Sequence, residues 1–428
     1  MFKRRIYLDY ASLTPIDSRV LREMKAFSAP AYANPSSLYK AGVAAKKALA
    51  QMRTKTATFI HAHPDEIVFT SGGTEANGLA LEGTARQARM GGIEKPHMII
   101  SAIEHSSIIE VAALMEKQGC EVTQLSVDHS GIISLEELKK AIKPNTFLVS
   151  IMTVNNEIGS IQPIREIVKI IRHARKVFKE SGQGKGIYPL FHTDAAQAAL
   201  YQELNMEKLG VDLLTLDGSK VYGPRGIGCL YIRRGTPIQP IIYGGGQEVG
   251  MRSGTENIPG IAGFAKALEI AAIERDREAG RLVQLREYFI EGLKVIRLDI
   301  VVNGAVFGAA LTEKTQLFSS LSQSDEKVVT SSNSQKGVPP LSTVIQALQS
   351  PHILNVSIPG IDNEFFVLQL DAKGIACSTK SSCLRDEDES YVLKAVGADS
   401  NTAVRFSFGR STKKGDIRQA LAVMRKLC

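Results

Sequence analysis

A lysine, an aspartate, a glycine-rich turn and a cysteine stand out in this chain, because together they could serve one reaction. Lys220 ends the run Asp217-Gly218-Ser219-Lys220, after a hydrophobic stretch and before the turn Val221-Tyr222-Gly223-Pro224. Asp194 follows another hydrophobic stretch, in His192-Thr193-Asp194-Ala195-Ala196-Gln197. A Schiff-base amine and a carboxylate on a pyridine nitrogen are the two groups a protein supplies to run pyridoxal 5'-phosphate (PLP) as an electron sink. The amine must be neutral to attack an aldehyde, which takes desolvation or a nearby cation. Each residue also has a plainer reading: Lys220 as an exposed cation, and Asp194 as the cap of a helix opening at Ala195. The two together, in this order, favour a PLP enzyme.

Ser71-Gly72-Gly73-Thr74 stands between a strand-like run and a helical one. Free backbone N–H groups and the helix dipole there suit an anion such as the cofactor phosphate. A capped helix start with Thr74 as the cap is the alternative, and it is compatible with phosphate binding. Cys383 lies in the polar stretch Ser378-Thr379-Lys380-Ser381-Ser382-Cys383-Leu384-Arg385, which reads as an exposed loop. Lys380 and Arg385 beside it make the surroundings in which a thiolate forms, although an incidental loop cysteine would look the same. Cys229 and Cys377 fall in apolar strands and Cys428 ends the chain. Five scattered cysteines without paired spacing argue against a disulfide framework, and no metal site is expected.

These residues need elements to position them. Ile67–Thr70, His97–Ile100, Glu121–Leu125, Phe147–Ile151 and Leu190–Thr193 are short β-branched runs separated by helical stretches. That alternation implies an α/β fold with a mostly parallel sheet, whose ligands sit at the carboxyl ends of the strands. Leu213–Leu216 leads into Lys220, and Gly228–Arg233 reads as the next strand. A long helix from Ile261 to about Lys294 then bridges to a smaller C-terminal α+β domain built on Ile353–Ser357, Ala403–Phe408 and a last helix from about Lys413. The expected division is an N-terminal segment over 1–15, a large domain over 16–257 and a small domain over 258–428. Residues 305–350 interrupt the small domain, and Ser320 to Gly337, without periodicity, reads as a mobile insertion.

Composition narrows the class. The chain has 428 residues, 44% apolar and 22% charged, and no apolar run long enough to span a bilayer. Its start carries no signal-peptide pattern, so a cytoplasmic enzyme without membrane partners is expected. The net charge of +8 is spread over separate doublets such as Lys46-Lys47 and Lys413-Lys414, which read as solvated faces. Direct nucleic-acid binding is not supported, while a partner in tRNA modification stays open.

With these motifs in view, the chain resembles a cysteine desulfurase of the NifS/IscS type, a class V aminotransferase with the fold of type I PLP enzymes. The resemblance runs in order through Tyr7-Leu8-Asp9-Tyr10-Ala11-Ser12, Asn34-Pro35-Ser36-Ser37, Thr70 to Glu75, Glu104-His105, Val154-Asn155-Asn156-Glu157-Ile158-Gly159, Asp194 with Gln197, Lys220 to Pro224, Met251-Arg252-Ser253-Gly254-Thr255 and Arg405-Phe406-Ser407. It implies that Lys220 holds PLP, that Asp194 faces the ring nitrogen, and that His105 stacks on the ring. Asn155 and Gln197 would bond around the ring hydroxyl, Gly73 and Thr74 would bind the phosphate, and Thr255 would reach the phosphate of a neighbouring subunit in a homodimer with shared sites. Arg405, with Asn34, would take the carboxylate of L-cysteine. Cys383 would carry the persulfide, and a sulfur-acceptor protein in iron–sulfur assembly or tRNA thiolation would receive it. The chain departs from the family pattern beside the lysine, where Asp217 and Ser219 stand in place of a serine and a histidine that contact phosphate. Weaker PLP retention is the expected consequence. A selenocysteine lyase or related lyase, and a catalytically weak scaffold for a sulfur-transfer partner, are the competing readings.

Overall fold

The computed structural model describes residues 5–28, 32–183, 186–304, 348–380 and 389–428. The reading of 305–350 as a mobile insertion falls almost wholly outside them. In chain order the first elements are β1 (Ile6–Tyr7), α1 (Ser18–Ser28), α2 (Lys40–Phe59), β2 (Ile67–Thr70), α3 (Gly73–Met90), β3 (His97–Ser101), α4 (Ser106–Lys117), β4 (Glu121–Leu125), α5 (Leu135–Ala141), β5 (Thr146–Ser150), α6 (Ile164–Glu180), β6 (Leu190–Asp194), α7 (Met206–Leu209), β7 (Leu213–Asp217) and β8 (Gly228–Ile232). The 39-residue α8 (Ile258–Ile296) follows, with β9 (Val301–Val302), β10 (Ile353–Ser357), α9 (Asn363–Ala372), β11 (Ile375–Ala376), α10 (Tyr391–Ala395), β12 (Ala403–Ser407) and α11 (Lys414–Leu427). Among the described residues no helix is long and apolar enough to cross a membrane.

The main sheet has seven strands in the order β2-β8-β7-β6-β5-β3-β4. All are parallel except β8, which runs antiparallel to both β2 and β7. Its strands read as nearly continuous apolar runs because both faces are covered, as parallel sheets require. The pleat sorts them: Ile99, Val149, Phe191 and Leu214 face one core, and Met98, Ile100, Leu148, Leu190 and Leu213 the other. On the second side the small residues Ala76, Ala80, Ala85 and Ala88 let α3 lie close against the sheet. Each fully buried Leu, Ile, Val or Phe of these cores contributes roughly 1.5–3 kcal/mol relative to exposure. Helix α8 packs against α1 and α2 and also against α11.

Two smaller sheets complete the frame, the order β12-β10-β9 and the parallel pair β1-β11. Ile6 pairs with Ile375 and Tyr7 with Ala376, while Asp9 bridges to Ser407. The segment from Ile6 to Asp9 is therefore stitched onto the C-terminal elements, which carries Ala11 and Ser12 over the ends of β6 and β7. The carboxyl ends of β2, β3, β5, β6 and β7 share one edge of the main sheet.

At that edge Gly228 lies between Thr70 and Asp217 in the sheet register. A Cβ at Gly228 would stand 2.6 Å from the Leu216 carbonyl and 2.8 Å from the Gly72 carbonyl carbon. Glycine is what allows the start of α3 to close against the end of β7. Gly228→Ala should cost about 1–3 kcal/mol through backbone displacement. Gly280→Ala, in α8 with nothing within 4 Å, should instead gain up to about 1 kcal/mol; urea unfolding of both variants measures the contrast.

Candidate active site

The residues at this edge close around one cavity lined by Ser12, Gly73, Asn77, His105, Asp194 and Lys220 among others. Lys220 ends a turn of 3-10 helix after β7, and its Nζ donates to the carbonyls of Ala11 at 3.1 Å and Ser12 at 2.5 Å. Asp194 ends the adjacent strand β6 and is 7% exposed. Its Oδ1 accepts from the N–H of Ala196 at 2.9 Å, but the residues after it form turns rather than the helix that the capping reading required, and it faces the cavity. Its Oδ2 accepts from Asn77 Nδ2 at 2.8 Å. The same Asn77 nitrogen donates to Ser107 Oγ at 2.9 Å, and Ser107 Oγ lies 2.8 Å from His105 Nδ1. A polar chain thus ties the carboxylate to α3 and to His105, the residue that caps α4.

Gln197 is oriented from both ends. Its Nε2 donates to the Ala11 carbonyl at 2.9 Å, and its Oε1 accepts from His352 Nε2 at 3.1 Å. His352 bonds through Nδ1 to Ser350 Oγ at 2.6 Å, and burial, with Arg405 nearby, pushes its pKa down to about 3. A neutral ring whose one N–H is on Nε2, with Nδ1 accepting from Ser350, therefore dictates which end of the Gln197 amide is which.

Arg405 in β12 is 1% exposed. Its guanidinium donates to the Asn156 carbonyl at 2.9 Å, to Asp9 Oδ1 at 2.9 Å and to Ser12 Oγ at 2.7 Å. Among the described residues its buried Nε has no partner, and neither does Oδ1 of Asn77. Unsatisfied buried polar atoms are costly, and both of these residues line the cavity.

The glycine turn brings a surprise. Helix α3 starts at Gly73, so Thr74 lies within its first turn and does not cap it. Instead the N–H of Gly73 donates to Asp217 Oδ2 at 2.8 Å. Oδ1 of Asp217 accepts from the N–H of Ser219 at 2.7 Å and from its hydroxyl at 2.5 Å. A carboxylate thus lies on the helix N-terminus, next to Gly73 and Thr74 in the cavity wall.

Three predicted residues are placed elsewhere. Asn155 is fully buried, its amide donating to the Ile103 carbonyl and accepting from the N–H groups of Glu157 and Ile158. It shapes the loop after β5, and its neighbour Asn156 lines the cavity. Asn34 is exposed in an N-terminal loop, where its side chain accepts from the Ser36 N–H. Thr255 is exposed on the loop before α8, also away from the cavity lining. Cys383 lies outside the described residues.

Asn77 and Glu104 carry parts of this region that motif reading left without a role. Asn77 was discoverable, since it falls one helical turn after Gly73 and so on the same face. Glu104 is fully buried; its Oε1 accepts from Ser101 Oγ at 2.5 Å and Met152 N at 2.9 Å, while Oε2 has no partner. Burial, with the negative charge of Asp194 adding to it, pushes the Glu104 pKa up to about 8.

Comparison with known proteins gives the context. A profile of the Aminotransferase class-V family matches residues 6–305. The chain is 38% identical to "Cysteine desulfurase IscS" of Dictyoglomus turgidum, over 99% of this chain and 95% of that one. A solved structure titled "NIFS-LIKE PROTEIN" superposes with a TM-score of 0.80 at 31% identity, covering 99% of each chain. Another, "SspA in complex with cysteine", gives a TM-score of 0.67 at 30% identity, covering 94% of this chain and 98% of that one.

A folded chain that keeps the Glu104 proton from about pH 4.5 to about 8, while the unfolded chain has lost it, becomes less stable as pH rises through that window. Glu104→Gln should flatten the decline between pH 6 and pH 8, roughly the upper half of the window, in denaturation midpoints measured across pH. A variant as steeply pH-dependent as the parent would contradict this assignment.

Proposed function

Because the chain belongs to the class-V aminotransferase family and, within it, to the cysteine desulfurases, we propose that its cavity binds PLP with L-cysteine, releases L-alanine and passes the sulfur to Cys383. The observation that carries the reading is that Lys220 and Asp194, at the ends of adjacent strands, line one cavity together with Arg405. The residues suit the cofactor at its ring end: an amine, a carboxylate held by Asn77, an imidazole and an oriented amide converge there. When bound, the cofactor supplies an electron sink for negative charge at the substrate α-carbon.

Lys220 would hold the cofactor and, once released, carry a proton on Nζ. The carbonyls of Ala11 and Ser12 would steady that amine between the two tasks. Asp194 would keep a proton on the ring nitrogen, with Asn77 fixing its carboxylate. His105 would cover one face of the ring. Gln197, and Asn156 in place of the expected Asn155, would meet the ring's polar edge. The unpaired Nε of Arg405 is the donor left for a substrate carboxylate, which a guanidinium fork binds well. The Cys383 thiolate would attack the substrate sulfur, forming an S–S bond as the C–S bond breaks; the C–S electron pair would pass to the substrate carbon skeleton, which takes up protons to become alanine, and the persulfide would be left for an acceptor protein.

We read the loop around Thr255 as facing a second copy of this chain. Glu248 is buried, gripped by Arg53 through two bonds of 2.7 Å, and takes the N–H of Phe69 at 2.9 Å. The next residue, Val249, is held at φ 58° with its side chain 76% exposed. A β-branched residue in the left-handed region costs about 1–3 kcal/mol. Strain that presents an apolar residue to the outside, with Tyr243 in the same loop region also exposed, supports an interface there.

Purified protein given PLP should make alanine from L-cysteine, and Lys220→Ala should abolish both turnover and the absorbance change on PLP addition. Cys383→Ala should keep that absorbance change and lose at least about a hundredfold in sulfur transfer; full transfer by this variant would sink the persulfide role. Val249→Asp should shift light-scattering mass from two copies to one, and a parent protein that is already monomeric would end the dimer reading.

A further inference from the structure

The carboxylate on the start of α3 has a consequence for what the cavity can retain. Asp217 takes three neutral donors, the N–H of Gly73, the N–H of Ser219 and the Ser219 hydroxyl. Gly73 and Thr74 open an 18-residue helix whose N-terminal dipole favours one anion in this place. Asp217 comes from the strand end that also delivers Lys220, three residues later, and all four residues line the cavity. The anion is fixed in place, because β7 and β2 are both locked to β8 and Gly228 holds their ends together.

We propose that Asp217 is a resident anion of the cofactor phosphate seat, so that PLP binds weakly and reversibly and the loaded fraction follows the free cofactor concentration. The proposal rests on the cofactor reading above. A phosphate entering here brings further negative charge to donors that already serve a carboxylate, and like charges a few ångströms apart repel strongly where water is partly excluded. The same carboxylate stabilises the empty protein by satisfying the helix start. Asp217 therefore has opposite effects on the empty and loaded states, a signature that a purely structural residue would not produce.

The test compares the parent protein with Asp217→Asn, which keeps the shape and removes the charge, and Asp217→Ser, which leaves a small hydroxyl. Cofactor-free samples are titrated with PLP and with pyridoxal, which lacks the phosphate, following cofactor absorbance, and their thermal midpoints are recorded. In both variants the PLP dissociation constant should fall by at least about tenfold, that of pyridoxal should change by less than about twofold, and the midpoint of the empty protein should drop. Should one variant fail to fold, the other decides. PLP affinity within about twofold of the parent in the folded variants would overturn the proposal while leaving the cofactor reading intact, and so would equal tightening of pyridoxal. Absence of binding by all three proteins would overturn both.

Discussion

The site depends on one buried guanidinium. Arg405 reaches from β12 to Asp9 and Ser12 at the start of the chain and to the Asn156 carbonyl in the loop after β5. Removing water from such an ion pair is expensive, and deleting one partner of a buried pair typically costs about 3–5 kcal/mol. The return is geometric. With Asp9 and Ser12 pinned, the carbonyls of Ala11 and Ser12 stand where Lys220 and Gln197 need acceptors. Pairing of β1 with β11 holds the same segment from outside. The cavity is thus closed by residues from both ends of the chain.

Inside that closure the polar groups are held by partners rather than by solvent. Asp194 has Asn77 and the Ala196 N–H, and Gln197 has Ala11 and a neutral His352. Glu104, the residue before His105 and influenced by Asp194, keeps its proton near neutral pH because burial makes its charge costly. A low-dielectric interior cannot collect charged carboxyl groups freely, and Glu104, buried behind the cavity wall, is the acid kept neutral. The unpaired atoms that remain, Arg405 Nε and Asn77 Oδ1, lie on cavity-lining residues where a ligand can satisfy them.

The start of α3 follows a different balance. A helix N-terminus usually offers its N–H groups to an incoming anion. Here the end of β7 supplies the anion itself, through Asp217, in the same four-residue span that supplies Lys220. A lysine and a carboxylate thus leave one strand end for the same cavity wall.

Strand positions, the turn after Lys220 and the long helix, expected from Ile261 to about Lys294 and found over Ile258–Ile296, were legible in the order of residues, because β-branched runs, glycine turns and helical periodicity are local signals. Sequence also flagged Asp217 as an odd neighbour for a phosphate. Which way that carboxylate points was decided only when β7 and β2 were brought to the two sides of β8, with Gly228 leaving room between them. The choice between Asn155 and Asn156 depended on a loop turn that turns one amide inward to the backbone and leaves the other facing the cavity. The proton on Glu104 depended on complete burial beside Asp194, and the grip on Lys220 on a segment two hundred residues away. Local pattern determines what each stretch can become; distances between stretches, and the water excluded from between them, exist only in the folded chain.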